Sequence, residues 1–216
     1  MASNPTLSKL KVIMNAEAFG FGPTAAIASF FPELRNLIGE IAYIGEGHSL
    51  NLQKSLAYNH IYDCSFWDKQ NIEKTLKHYD ILITAADFTM AERAKNAGLN
   101  VIIYDPLAWF WRTMPQAIKT CDLYLAQNFI GVEEALHDFA PHMASPPIIV
   151  PPILQNKHSQ RYGENILINF GGLINPFWQK EDAVHYAKTM YGAIKSILPS
   201  STAHCLHKRR YCPSFA

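Results

Sequence analysis

Short apolar runs separated by helix-length stretches recur between residues 11 and 150, and this alternation constrains the fold more than any other feature. The runs are Lys11-Val12-Ile13-Met14, Ile41-Ala42-Tyr43-Ile44, Ile61-Tyr62-Asp63, Asp80-Ile81-Leu82-Ile83-Thr84, Val101-Ile102-Ile103-Tyr104 and Leu123-Tyr124-Leu125-Ala126, with Ile148-Ile149-Val150 between proline pairs closing the series. Several are apolar throughout instead of alternating, as a strand buried on both faces requires. Helical stretches fall between them, around residues 50–58, 71–78, 88–98 and 132–139, with Gly98 placed as a C-terminal stop. Strand–helix alternation of this kind predicts an α/β fold: a Rossmann-like parallel sheet with helices on both faces.

The pattern pauses and then restarts. The polar stretch Gln155-Asn156-Lys157-His158-Ser159-Gln160-Arg161-Tyr162 follows a proline-rich exit, which places a first domain at residues 1–154 and a linker at 155–164. A new apolar run, Asn165-Ile166-Leu167-Ile168-Asn169-Phe170, is stopped by Gly171-Gly172, and residues 180–197 carry apolar positions at helical spacing. Residues 165–216 therefore read as the start of a second, incomplete α/β domain. Its last stretch, 200–216, shows no period and gathers Cys205, His207, Cys212 and three consecutive basic residues. That shift reads as an ordinary basic tail or as an interrupted reading frame. The cysteines and histidines lack the paired spacing of a zinc site, so no metal is expected.

Composition excludes several classes. Of 216 residues, 49% are hydrophobic and 17% charged, which is enough apolar material for a real core. A net charge of +1 gives no footprint for nucleic acid. No apolar run approaches the roughly 18 residues that span a bilayer. The first residues lack the apolar centre of a signal peptide, so the expectation is a cytoplasmic protein with Cys64 and Cys121 reduced and packed.

The opening unit carries the first ligand signal. Gly20-x-Gly22-x-x-Ala25 follows the first strand and precedes a helix with Pro23 in its first turn. Glycine admits close backbone approach, and a helix start offers unpaired N–H groups to an anion. A tight strand-to-helix turn with no ligand explains the same spacing. In doubly wound sheets, ligands sit beyond the carboxyl ends of the strands. Glu17, Asp87 and Asp105 all stand at such ends, as candidate bases. Asp87 also suits a helix cap, and Asp105-Pro106 a turn. His48 is a further base candidate, and Glu46 stands about 20 residues beyond the glycines, the usual place for a ribose-binding acid. Trp109-Phe110-Trp111-Arg112 can stack on a ring and hold an anion, or simply pack a cleft. Gln127 and Asn128 are amide candidates for hydroxyl groups.

Two α/β units joined by a proline-rich linker, each opening with a strand and a glycine loop, resemble the GT-B glycosyltransferases. The resemblance lies in Phe19-Gly20-Phe21-Gly22, Thr84-Ala85-Ala86-Asp87, Asp105-Pro106-Leu107-Ala108-Trp109 and Ile168-Asn169-Phe170-Gly171-Gly172. Within that class, FGFGPTAAIASFFPEL together with DPLAWFW looks closest to cytosylglucuronate-synthase-like enzymes. The resemblance implies a nucleotide-sugar donor, a small-molecule acceptor and no separate cofactor. By position it places Gly20 and Gly22 on the acceptor side, near the diphosphate, and Gly171 and Gly172 at the donor phosphates; Phe21, Trp109, Arg112 and Asn128 are the other substrate-binding candidates, read from the residues themselves. For such a transfer, Glu17, Asp87, Asp105 and His48, singled out above by position and chemistry, are the catalytic candidates. The chain departs from the class where it ends before the later donor-binding strands, which implies weak or absent transfer unless a neighbouring chain supplies the missing half. A nicotinamide-dependent oxidoreductase, resting on the glycine spacing and Glu46, and a non-catalytic binding module are the alternatives.

Overall fold

The computed structural model describes residues 7–18, 21–153, 166–168, 180–197 and 203–205. The chain divides into two compact units, Met1–Gln155 and Asn156–Ala216. In the first, strands and helices alternate: β1 (Lys11–Ala16), α1 (Gly22–Arg35), β2 (Glu40–Gly45), α2 (Gly47–Gln53), β3 (His60–Asp63), α3 (Lys69–Leu76), β4 (Ile81–Ala85), α4 (Phe88–Asn96), β5 (Asn100–Asp105), α5 (Gln116–Thr120), β6 (Leu123–Gln127), α6 (Val132–Phe139) and β7 (Ile148–Val150). All seven strands form one parallel sheet in the order β3-β2-β1-β4-β5-β6-β7. The expected Rossmann-like α/β fold is the observed one.

Burial explains why these segments are strands. The last five residues of both β1 and β2 are buried, while the edge strands β3 and β7 are largely open. Side chains alternate between two cores. Ile13, Ala42, Ile44, Leu82 and Ile103 pack on one face with Ile72, Leu76, Met90, Ala94 and Ile118 from α3, α4 and α5. On the other, Val12, Met14, Ile41 and Tyr43 meet Ala26, Ile27 and Phe31 of α1 and Leu50 of α2. Gly98 stops α4 as its spacing predicts. At φ +93° it lets its own N–H reach Lys95 O and that of Leu99 reach Ala94 O, the paired bonds that close a helix end.

One glycine is fixed by crowding. A Cβ on Gly39, just before β2, would overlap the carbonyl oxygen of Ser8. Gly39→Ala is therefore expected to push the 3-10 turn Leu7–Lys9 off the sheet and to lower stability by about 1–3 kcal/mol in urea denaturation. An unchanged midpoint would show that this turn does not pack in solution.

In the second unit, β8 (Ile166–Ile168) pairs in parallel with β9 (Ala203–Cys205), and α7 (Lys180–Ile197) lies between them in the chain. β9 falls inside the stretch read from sequence as patternless, because three residues are too few to show a period. No helix among the described residues is long and apolar enough to cross a membrane.

Candidate functional site

The strand order reverses between β1 and β4, and their carboxyl ends diverge there into helices on opposite faces. Sheets of this kind hold ligands at that point. The backbone N–H of Glu17 donates to Ala85 O at 2.9 Å, tying the two strand ends together. Glu17 itself is half-buried, and its Oε1 accepts from the N–H of Ala18 at 2.9 Å. Across from it, Ala86 turns the chain out of β4 at φ +57° and is the one non-glycine residue with positive φ among those described. A side chain in that region is strained, and such strain concentrates at functional sites.

Asp87 follows directly and caps α4, its Oδ1 accepting from Met90 N–H at 2.9 Å. Burial pushes its carboxyl above the usual range, while the Met90 N–H, the Asn15 amide and the Arg93 charge pull it back. The cap reading and the base reading are thus compatible on one group. Asn15 lies in the buried part of β1, opposite Thr84 in the β1–β4 register. Asn15 Nδ2 donates to Ile44 O at 3.0 Å, and Thr84 Oγ1 donates to Asn15 Oδ1 at 2.8 Å.

The β1–α1 and β2–α2 loops meet beside this point. Phe21 is exposed at the start of α1, with its ring 5.2 Å from that of His48 in the first turn of α2. Glu46 is exposed immediately after β2. Beneath these loops lies a polar network that a hydrophobicity pattern does not reveal. Tyr43 OH and Ser49 Oγ share a hydrogen bond, and Ser49 Oγ donates to Ala16 O at 3.2 Å. Thr24 Oγ1 donates to Ser49 O, Gln53 Nε2 donates to both Thr24 O and Thr24 Oγ1 at 2.7 Å, and Tyr58 OH donates to Gln53 Oε1 at 2.8 Å. Thr24, Ser49 and Gln53 are fully buried, and burial pushes the Tyr43 hydroxyl up to about 12. The network pins α1 and α2 to the end of β1, so the loops above them start from fixed points.

Asp105 has a different setting from the other acids. It is fully buried at the end of β5, where Leu107 N–H (2.8 Å), Trp111 Nε1–H (2.8 Å) and Tyr124 OH (2.7 Å) all donate to it. Burial raises its pKa against the pull of those three donors. A carboxylate so saturated builds the β5–α5 connection and offers no open oxygen to a substrate. Trp111, held by Asp105, packs edge-on against Phe88 at 5.3 Å, next to Asp87. Trp109 lies 5.1 Å from Phe129 in the loop after β6, and Trp109, Phe110, Phe129 and Ile130 are all exposed. Arg112 and Asn128 are exposed on the same two loops.

The structure thus gathers Glu17, Phe21, Gly22, His48 and Asp87 around the reversal, and Trp109, Arg112 and Asn128 on the neighbouring loops. Gly20, Gly171 and Gly172 lie outside the described residues. Asn15 escaped the sequence reading, and Thr84 entered it only as a strand end and as part of Thr84-Ala85-Ala86-Asp87, although a polar residue ending an apolar strand was a usable signal. Among the described residues no group of three His, Cys, Asp or Glu side chains can hold a metal ion. No protein-family model matches the chain and no curated protein matches it, so the reading of this site rests on its own geometry.

Proposed function

We propose that the first unit is the acceptor-binding half of a GT-B-type glycosyltransferase that uses a nucleotide-sugar donor and a small-molecule acceptor. The observation that carries the reading is Asp87: a carboxyl with a raised pKa, held at the head of β4 where the strand order reverses. Transfer requires a base that takes a proton from the acceptor as its heteroatom bonds to the anomeric carbon. The bond from that carbon to the diphosphate breaks, and the nucleoside diphosphate leaves with the electron pair. A carboxyl that binds its proton more tightly than usual suits the first task. N–H groups at the start of α1 suit the charge on the second. Trp109 and Arg112 supply a ring surface and a cation on the adjoining loops. Glu17 and His48 flank the base and orient the acceptor. In this reading, residues 165–216 belong to the donor side, with Gly171 and Gly172 at its phosphates.

A nicotinamide-dependent oxidoreductase is the second reading, favoured by Glu46 standing exposed directly after β2, where a ribose would be held. Ala25 weighs against it. The third small residue of a dinucleotide fingerprint packs its helix close against the strand, and Ala25 is exposed while Thr24 and Ala26 face inward.

Gly22 supplies the test. A Cβ there would meet nothing within 4 Å, and its φ is not positive, so neither packing nor conformation requires glycine. Gly22→Ala should leave the unfolding midpoint unchanged within about 0.5 kcal/mol. If a phosphate approaches that backbone, the same change should weaken binding of UDP-glucose or UDP-glucuronate about tenfold or more, read by quenching of tryptophan fluorescence. Quenching by NADH and by no UDP-sugar would replace the first reading with the second. Equal affinity of wild type and variant would remove the phosphate from Gly22.

A further inference from the structure

Gln127 closes β6 at the carboxyl edge of the sheet, and the fold uses only half of its amide. Leu125 packs on the α1 face of the sheet together with Tyr104 of β5, and Gln127, two residues further on, shares that face. Tyr104 is 1% exposed, with Phe30 of α1 packed edge-on against it at 5.1 Å, and its hydroxyl donates to Gln127 Oε1 at 2.6 Å. That hydrogen bond fixes which way round the amide sits. Turned over, Gln127 would set its NH2 against the hydroxyl, and the buried Tyr104 proton would lose its acceptor, at a cost of roughly 1–3 kcal/mol.

The NH2 group makes no hydrogen bond to any described residue. No buried side-chain nitrogen or oxygen among the described residues lacks a partner, so the half-buried Gln127 presents its Nε2 to solvent. The sheet thus holds out a donor with no acceptor of its own, at the edge where folds of this kind bind ligands. Trp109 and Phe129, both exposed and 5.1 Å apart, stand on the loops that leave β5 and β6. They offer ring surface above the same two strands. An amine or ammonium would meet the fixed NH2 donor to donor, whereas a carbonyl or carboxylate oxygen accepts from it. We propose that Gln127, oriented by Tyr104, donates to a carbonyl or carboxylate oxygen on the ring-bearing small molecule that this unit binds.

The experiment measures binding of two neutral ring probes, acetophenone and aniline, to the full chain. Tryptophan fluorescence reads their affinities, and nitrogen–proton NMR reads the side-chain NH2 of Gln127. Acetophenone is expected to shift that NH2 and to bind about threefold to tenfold more tightly than aniline, the worth of one neutral hydrogen bond. Gln127→Glu keeps the size and the oxygen that Tyr104 needs but removes the NH2, so the preference should invert. Tyr104→Phe releases the amide to turn over, so the two affinities should converge. A purely structural Gln127 would leave the ratio between the probes where it is. An NH2 that acetophenone does not shift, or a ratio unchanged in either folded variant, overturns the proposal. The NMR shift needs no variant, so a failure to fold does not shelter it.

The inference rests on the first unit binding a small molecule at its carboxyl edge, and the two readings fail separately. An inverted preference in a protein that binds no UDP-sugar upholds the Gln127 contact and overturns only the transferase. UDP-sugar binding that Gly22→Ala weakens, with no preference between the probes, overturns only the contact.

Discussion

Asp105→Ala is expected to lower the unfolding free energy by about 3 kcal/mol, a large share of the 5–15 kcal/mol typical of a domain. The change removes an acceptor and leaves its donors behind. Tyr124 OH is fully buried, and burial beside Asp105 holds its proton on far beyond the usual tyrosine range. Without Asp105 that hydroxyl has lost its acceptor at the end of β5, and the Trp111 indole N–H and the Leu107 N–H lose theirs as well. Each orphaned donor costs roughly 1–3 kcal/mol, offset in part by release of a buried charge. Asp105→Asn keeps the shape and one accepting oxygen but turns an NH2 toward at least one of the donors, so about half the loss is expected. Urea denaturation followed by far-UV circular dichroism reads both values. A loss below about 1 kcal/mol for Asp105→Ala would mean that the three bonds are not made in solution.

Asp105 and Asp87 also show where reading the sequence stops. Both follow apolar strands, both suit a local turn or cap, and both were legible as acids at the carboxyl edge. What separates them is supplied from elsewhere. Trp111 and Tyr124, six and nineteen residues on, seal Asp105, while Asp87 is bonded within its own helix start, at Met90 N–H. A local pattern shows the cap on Asp87 and carries no information about the distant partners of Asp105.

The sheet itself was legible because two-sided burial demands apolar runs, and seven of them with helices between leave few arrangements other than a parallel sheet. Two of the boundaries that slipped did so for one physical reason. β1 reads from sequence as ending at Met14 and continues to Ala16, because Asn15 is polar and nevertheless buried. The helix expected around residues 50–58 lies at Gly47–Gln53, because Ser49 and Gln53 are fully buried through hydrogen bonds to Ala16 O and Thr24. Periodicity assigns polar residues to the surface, so it errs wherever a polar network replaces apolar packing. In this chain that happens at the ends of β1 and in α2, beside the strand reversal.

If the first unit acts as proposed, Asp87→Asn reduces whatever glycosyl transfer the protein supports by about 10²–10⁴-fold, and in either case it is expected to make the protein more stable at neutral and higher pH. The two halves of the prediction share one cause. Asp87 binds its proton more tightly in the folded chain than in the unfolded one, because burial penalises the charge more than its partners compensate. Between the ordinary aspartate range and the raised folded pKa, the native state therefore holds more protons than the unfolded state. Stability falls as pH rises through that window, and above it the buried charge remains as a standing cost. Asparagine caps a helix as well as aspartate does and accepts the Met90 N–H through its own oxygen, so the helix start survives the exchange. The amide carries no charge to bury and cannot take a proton from an acceptor. Thermal unfolding of the two proteins should coincide at the acid end of the range and separate as pH rises, with the variant melting higher. A variant less stable than wild type at pH 8 would make Asp87 a structural anion, and transfer that persists undiminished would take the base out of the crevice.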